Sequence, residues 1–216
     1  MKKLLAITSL ATLLAQLSTF GQGYAAVAGG ARSAWDGFTQ PTSRLAATMN
    51  VAILWGSGTP LISSIAASTP TNTSLAVGFS RATAWSDILN DPNFQFAVDN
   101  NTSTMIIPQT SAGSSWTYTT TGGFSSIPIT GTSAGSSYSM FVIGWDKTYA
   151  TPQAAGAAGA YIGWSAPFTY HFTDSIGTPP SIAASGFIPF GVVPEPGSLS
   201  LIGLGAASAL LFRRRK

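Results

Sequence analysis

The sequence predicts an all-β fold: a single β-sandwich-like domain with one or two short helices, followed by a C-terminal transmembrane helix. Three observations lead there. Short runs rich in β-branched and aromatic residues alternate with Gly/Ser/Thr/Pro clusters through the middle of the 216-residue chain, a pattern typical of sandwiches and barrels. Only two stretches have helical character, too few and too short for repeated βαβ units. The body is also bracketed by two apolar segments that carry their own basic flanks, Lys2-Lys3 and Arg213–Lys216, and these stand outside any folded core.

The candidate strands are Met49–Trp55, Leu75–Ser80, Phe94–Val98, Thr104–Ile107, Ser115–Thr120, Phe124–Thr130, Tyr138–Trp145, Phe168–Phe172 and Phe187–Phe190. Trp116-Thr117-Tyr118-Thr119 alternates as a half-buried strand should, whereas Met140-Phe141-Val142-Ile143 is apolar throughout and reads as central. Thr83–Leu89 reads as a helix capped by Thr83, with Asp87 in its early turns. Pro152-Gln153-Ala154-Ala155 opens a second helix at its proline, soon ended by Gly156 and Gly159. The heptad Thr110–Trp116 returns as Thr132–Tyr138, 22 residues on, and reads as two equivalent loops at one end of a β-meander.

Composition bounds the function. Six of the ten Lys/Arg lie in the end segments: Lys2, Lys3, Arg213, Arg214, Arg215 and Lys216. Between residues 29 and 193, Arg32, Arg44, Arg81 and Lys147 face Asp36, Asp87, Asp91, Asp99, Asp146 and Asp174, an excess of two negative charges. No basic patch is left for a phosphate backbone, so no nucleic-acid partner is expected. The absence of cysteine excludes disulfides, thiolate metal sites and thiol nucleophiles. Trp35, Trp55, Trp85, Trp116, Trp145 and Trp164 are the natural material for a core held by packing alone. A charge-poor, hydroxyl-rich surface tends to associate, which suits a surface layer or matrix.

The ends read as addresses. Lys2 and Lys3, the apolar stretch Leu4–Phe20 and the small residues that follow lay out a secretory signal peptide over residues 1–28. Its cleavage region is Ala25, Ala26 and Ala28, with Ala26 and Ala28 at −3 and −1 or an earlier site at Gly23-Tyr24-Ala25. An exported β-rich domain then spans residues 29–193, and a tail spans residues 194–216. In that tail Pro194-Glu195-Pro196 precedes an apolar segment of 16 residues, Gly197–Phe212. As a helix the segment is about 24 Å long at 1.5 Å per residue. That is short of a bilayer core of about 30 Å, which suits a temporary anchor. Arg213, Arg214, Arg215 and Lys216 form a basic stop expected to remain cytoplasmic.

This arrangement resembles the C-terminal sorting signal of the PEP-CTERM proteins. The resemblance implies an exosortase-like membrane protease that cuts at or near Pro194-Glu195-Pro196 in a Gram-negative host that makes extracellular polysaccharide. Export machinery and a signal peptidase act before it. The precursor would be anchored in the inner membrane, and the mature form would lie at the cell surface or outside the cell. Ser139–Asp146, Tyr149-Ala150 and Tyr161–Phe168, with Val51–Gly56 as an early strand, also resemble a recurring ectodomain of such proteins that has no assigned activity.

Chemistry is sparse. Gly131-Thr132-Ser133-Ala134-Gly135 matches a nucleophile elbow formally, with Asp146 and His171 following, but a strand rather than a helix is expected after Ser133. His171, the single histidine, reads as a strand residue beside aromatics, with Asp174 three residues on. Asp91-Pro92-Asn93 and Asp99-Asn100-Asn101 follow no EF-hand spacing and read as turns. No metal or other cofactor is expected, and no catalytic residue is assigned. Two readings of the domain stand. One is a structural or adhesive element of the extracellular matrix. The other is a carbohydrate-binding module for the cell's own exopolysaccharide, with Trp116, Tyr118 and Tyr138 as the glycan contacts. A hydrolase is a distant third.

Overall fold

The computed structural model describes residues 21–30, 34–36, 49–58, 81–110, 116–118, 126–174 and 177–192. Its centre is the antiparallel pair of β4 (Met49–Gly56) and β11 (Ser137–Asp146), in register from Ser139↔Gly56 to Asp146↔Met49. On one face point Met49, Val51, Ile53, Trp55, Met140 and Val142, and on the other Ala52, Leu54, Phe141, Ile143 and Trp145, all buried. A strand covered on both faces is selected for unbroken apolarity rather than alternation, and this is why Met140–Ile143 reads as central. The sheet is completed by β12 (Ile162–Trp164) and β13 (Phe168–His171), which both pair with β11, and by β5 (Gln95–Phe96) beside β4.

Against the first face packs a second sheet, ordered β1 (Gln22–Ala26), β10 (Ser126–Ser133), β6 (Val98–Asp99) and β7 (Thr104–Met105). Ala25, Ile127 and Ile129 meet the apolar side chains of β4 and β11 in one core. This is the expected sandwich. Two smaller ladders flank it: β2 (Ala28–Gly29) with β9 (Trp116–Thr117) and β8 (Gln109–Thr110), and the parallel pair β3 (Ala34–Asp36) and β14 (Phe190–Val192).

The second face is covered by helices. In α1 (Arg81–Asn90), Ala84, Trp85 and Ile88 face the sheet and bury against Leu54, Phe141 and Trp164. The helix stops because Asp91 precedes Pro92, whose ring disfavours helical geometry in the residue before it. Asn90 Nδ2 donates back to the Ser86 carbonyl at 2.8 Å. Two sequence expectations need correction here. The helix begins at Arg81, so Thr83 is an internal residue and not the cap, and Asp87 lies in the second half rather than the early turns. Helix α2 (Pro152–Ala157) follows its proline as expected: Thr151 Oγ1 accepts from the Ala154 N–H at 3.2 Å. Its end is a Schellman motif, with Gly159 at φ +64, its N–H bonded to the Gly156 carbonyl and the Ala160 N–H to that of Ala155.

Strand lengths differ from expectation where neighbours intervene. Phe94–Val98 is split into β5 and β6, which pair with different sheets, because the chain passes from one layer to the other at Ala97. The last strand lies at Phe190–Val192 rather than Phe187–Phe190; Phe187 is buried through edge contacts with Trp116, Phe168 and Phe190. Leu75–Ser80 and the C-terminal apolar segment lie outside the described residues. The repeated heptads are not equivalent loops of one meander. Thr110 and Trp116 pair within the small ladder, whereas Thr132–Tyr138 carries the chain from one main sheet to the other through a turn at Ala134-Gly135.

Gly21–Ala28, read from sequence as the small-residue end of a leader, is built into the sheets. Tyr24, Ala25 and Ala26 pair with Pro128, Ile127 and Ser126, while Ala25 and Val27 are fully buried.

One close approach dominates the far edge. A Cβ on Gly163 would lie 2.2 Å from the Gly191 carbonyl oxygen, because β14 crosses directly over β12 there. The contact is backbone, so no side chain can swing away. Gly163→Ala should lower the unfolding free energy by about 1–3 kcal/mol or more, as overpacked sites do, measured by urea denaturation. An unchanged midpoint would mean that β14 does not seat on β12 as described.

Candidate functional site

A cleft lies where the β10–β11 turn meets the end of β13. It encloses about 470 Å³ and is lined by Ala134, Gly135, His171, Phe172, Thr173, Asp174 and Gly177. The β11–β13 register places Ser137 opposite His171, so Ser137 Oγ lies 3.1 Å from His171 Nδ1. His171 and Asp174 both line the cleft, and the Ser137 hydroxyl bonds to His171 beside it, a grouping that the sequence order alone would not single out.

Geometry limits what this group can do. An acyl-transfer site needs backbone donors free to hold an oxyanion. The turn's amides are all committed: the Ala134 N–H to the Gly21 carbonyl at 2.8 Å, that of Gly135 to Phe172 at 2.9 Å and that of Ser136 to Ser133 at 3.2 Å. Asp174 Oδ1 accepts from the Gly177 N–H at 2.6 Å, which shapes the neighbouring turn. Ser137 and His171 are both exposed, as facing residues on the open side of a strand pair are. Ser133, the formal elbow serine, stands at the end of β10 before a turn and another strand, and its own N–H donates to Tyr138 Oη at 3.1 Å. The strand–turn–helix of a nucleophile elbow is not formed there.

The proposed glycan contacts are placed differently from expectation. Trp116 is 1% exposed and packs edge-on to Phe187 at 5.9 Å, so it presents no face to a sugar. That assignment is corrected: the small β2–β9–β8 ladder turns Trp116 into the core. Tyr118 is half-buried and its hydroxyl donates to Asp99 Oδ2 at 3.3 Å. Tyr138 is half-buried between Trp55 at 4.9 Å and Phe172 at 5.4 Å, edge-on to both. The exposed large apolar side chains among the described residues are Tyr161 and Ile188. Asp91 and Asp99 make the turns expected of them, their Oδ1 atoms accepting from the N–H of Asn93 and Asn101, both at 2.9 Å. Among the described residues no group of three His, Asp or Glu side chains converges to hold a metal ion.

Sequence reading missed Tyr170. It lies in the expected strand Phe168–Phe172, but nothing local reveals its partners. Its hydroxyl donates to the Pro180 carbonyl at 2.6 Å and accepts from the Ala26 N–H at 3.0 Å. The phenol thus ties β1, β13 and the segment after Gly177 together. Burial pushes its pKa from 10.0 up to about 12, while the Ala26 N–H pulls weakly the other way.

The sorting elements Pro194, Glu195, Pro196, Arg213, Arg214, Arg215 and Lys216 lie outside the described residues, and the chain reaches them directly from β14, which ends at Val192. No described helix is long and apolar enough to cross a membrane. Residues 192–216 match the PEP-CTERM protein-sorting motif. A β-sandwich joined to such a motif defines a class: an exported domain held at a membrane until an exosortase, itself a membrane protein, processes it. This chain carries that sorting motif at the end of its β domain. No curated protein and no solved structure matches it.

Two outcomes follow. Tyr170 holds its proton more tightly folded than unfolded, so its contribution is complete below pH 10 and disappears as pH rises towards 12. That rise from 10.0 to about 12 corresponds to about 2–3 kcal/mol, read as a falling denaturation midpoint over that range. Tyr170→Phe should be less stable at neutral pH by about 1–3 kcal/mol and lack that alkaline loss. Ser137→Ala and His171→Ala should each change stability by no more than about 0.5 kcal/mol, as exposed substitutions do; a larger loss would show that the pair supports the turn.

Proposed function

We propose that this chain is an exosortase-processed protein of the cell surface or extracellular matrix, with a structural or adhesive, non-enzymatic role. The match of residues 192–216 to the PEP-CTERM motif carries the export half of this reading. The inner membrane would hold the precursor through Gly197–Phe212, with Arg213–Lys216 on the cytoplasmic side. The mature domain would then be released or attached outside the cell.

The domain's character supports the second half. Among the described side chains the tryptophans serve packing: Trp55, Trp85, Trp116, Trp145 and Trp164 are all at most 4% exposed. The surface is left to Ser, Thr, Asn and Gly with few charges, which favours association over colloidal repulsion. At the turn beside His171 the Gly135 and Ser136 amides are bonded to the Phe172 and Ser133 carbonyls. No pair of free donors is left there even when Gly21 is removed with the leader, which favours a non-catalytic reading. Glycan binding finds no support in an exposed aromatic row, since two of its three candidate contacts are half-buried and the third is in the core.

The test is replacement of Pro194, Glu195 and Pro196 by alanine in the source organism. The expected result is accumulation of an uncut, membrane-bound precursor and loss of the protein from the extracellular fraction. Normal processing of the triple variant would overturn the exosortase assignment.

A further inference from the structure

Between residues 21 and 29, four bonds have small residues at −3 and −1, as a signal peptidase requires. They follow Gly21, Gly23, Ala25 and Ala28, with Thr19, Gly21, Gly23 and Ala26 respectively at −3. Sequence ranks the last of these well. The fold ranks them in the opposite order.

A cut after Ala28 removes β1 entirely. It strips the edge from β10, takes Ala25 and Val27 out of the core and leaves Tyr170 Oη without the Ala26 N–H. A cut after Ala25 removes most of the strand and converts the Ala26 amide, bonded to Tyr170, into a charged amine beside a buried phenol. A cut after Gly23 removes the buried Gly23, whose carbonyl lies 3.2 Å from Thr132 Oγ1. It also turns the Tyr24 N–H, which donates to the Thr173 carbonyl at 2.9 Å, into an ammonium group.

A cut after Gly21 leaves β1 whole. The Gln22↔Ser133 pairing survives, as does the bond from Gln22 Nε2 to the Ile129 carbonyl. Among the described residues, the contact given up is the one between the Gly21 carbonyl and the Ala134 N–H. Gly21 is exposed and Ala134 half-buried, so water replaces that partner.

We infer that the leader is removed by hydrolysis of the Gly21–Gln22 bond, so that the mature domain begins with Gln22 and keeps β1 as a structural strand. Water adds across the peptide: its hydroxyl leaves Gly21 as a carboxylate on the leader, and Gln22 takes the proton as the new amine. This rests on the export reading above, because only an exported chain meets the enzyme.

The experiment is to recover the processed protein from the extracellular fraction of the source organism and determine its first residue by mass spectrometry of the N-terminal peptide. The expected peptide starts at Gln22, either free or cyclised with loss of ammonia. A start at Tyr24, Ala26 or Gly29 overturns the inference while leaving export intact. A chain that retains Met1 overturns it, and absence of the protein from the extracellular fraction overturns the export reading as well. Two variants sharpen the test. Gly21→Leu, with a bulky residue at −1, should lose most of its processed form, whereas Ala28→Leu should still be cut at Gln22. The reverse pattern would assign the cut to the bond after Ala28.

Discussion

Everything in this domain packs against one pair of strands. β4 and β11 are buried on both faces, and their long register leaves no polar edge between them. Burial of a large apolar side chain contributes about 1.5–3 kcal/mol, and each strand contributes such side chains to two cores at once. One core requires a second sheet and the other requires helices, so the layers follow from a single ladder. Without cysteine, no covalent staple substitutes for that packing.

The second sheet is closed by the chain's own early residues. β1 lies at the edge of β10, and Tyr170 bonds to it from the opposite layer while also holding the Pro180 carbonyl. The last strand, β14, lies across β12 at Gly163 and ends at Val192, two residues before the sorting motif's first proline. Both ends of the domain are thus strands, with little spacer before the processing signal. The matched sorting motif, residues 192–216, begins at the last residue of β14, and each proline at 194 and 196 restricts its own backbone and the residue before it. The sorting motif thus follows a domain whose first and last described strands are part of its core.

Much of this was legible in the sequence, for physical reasons that differ by element. Met140–Ile143 showed itself by unbroken apolarity, and α2 by a proline start and a glycine end, both local effects. The sorting motif was legible because its order and composition are themselves the signal. β1 was not: Gln22–Ala26 is small, lightly apolar and continuous with a leader-like segment, and its strand character comes from β10, about a hundred residues away. Trp116 was misjudged because alternation assigns a residue to one of two faces without saying which is covered. The meeting of Ser137 with His171 depends on register between strands 34 residues apart, which no local pattern encodes. Thr83 was mistaken for a cap because a threonine before an apolar turn satisfies the same rule inside a helix as at its start.

The functional account is correspondingly asymmetric. Destination is written in the tail, while the body offers packing, turns and a hydroxyl-rich exterior. Its central claim is that a self-sufficient sandwich, built on β4–β11 and closed by β1, is what reaches the exterior. Native-state hydrogen exchange on the exported protein tests this most directly. The account predicts that the amides of β4 and β11, together with those of Tyr24 and Ala26 in β1, exchange only through global unfolding. Fast exchange at Tyr24 and Ala26, as at a frayed terminus, beside protected amides in β4 and β11 would contradict it.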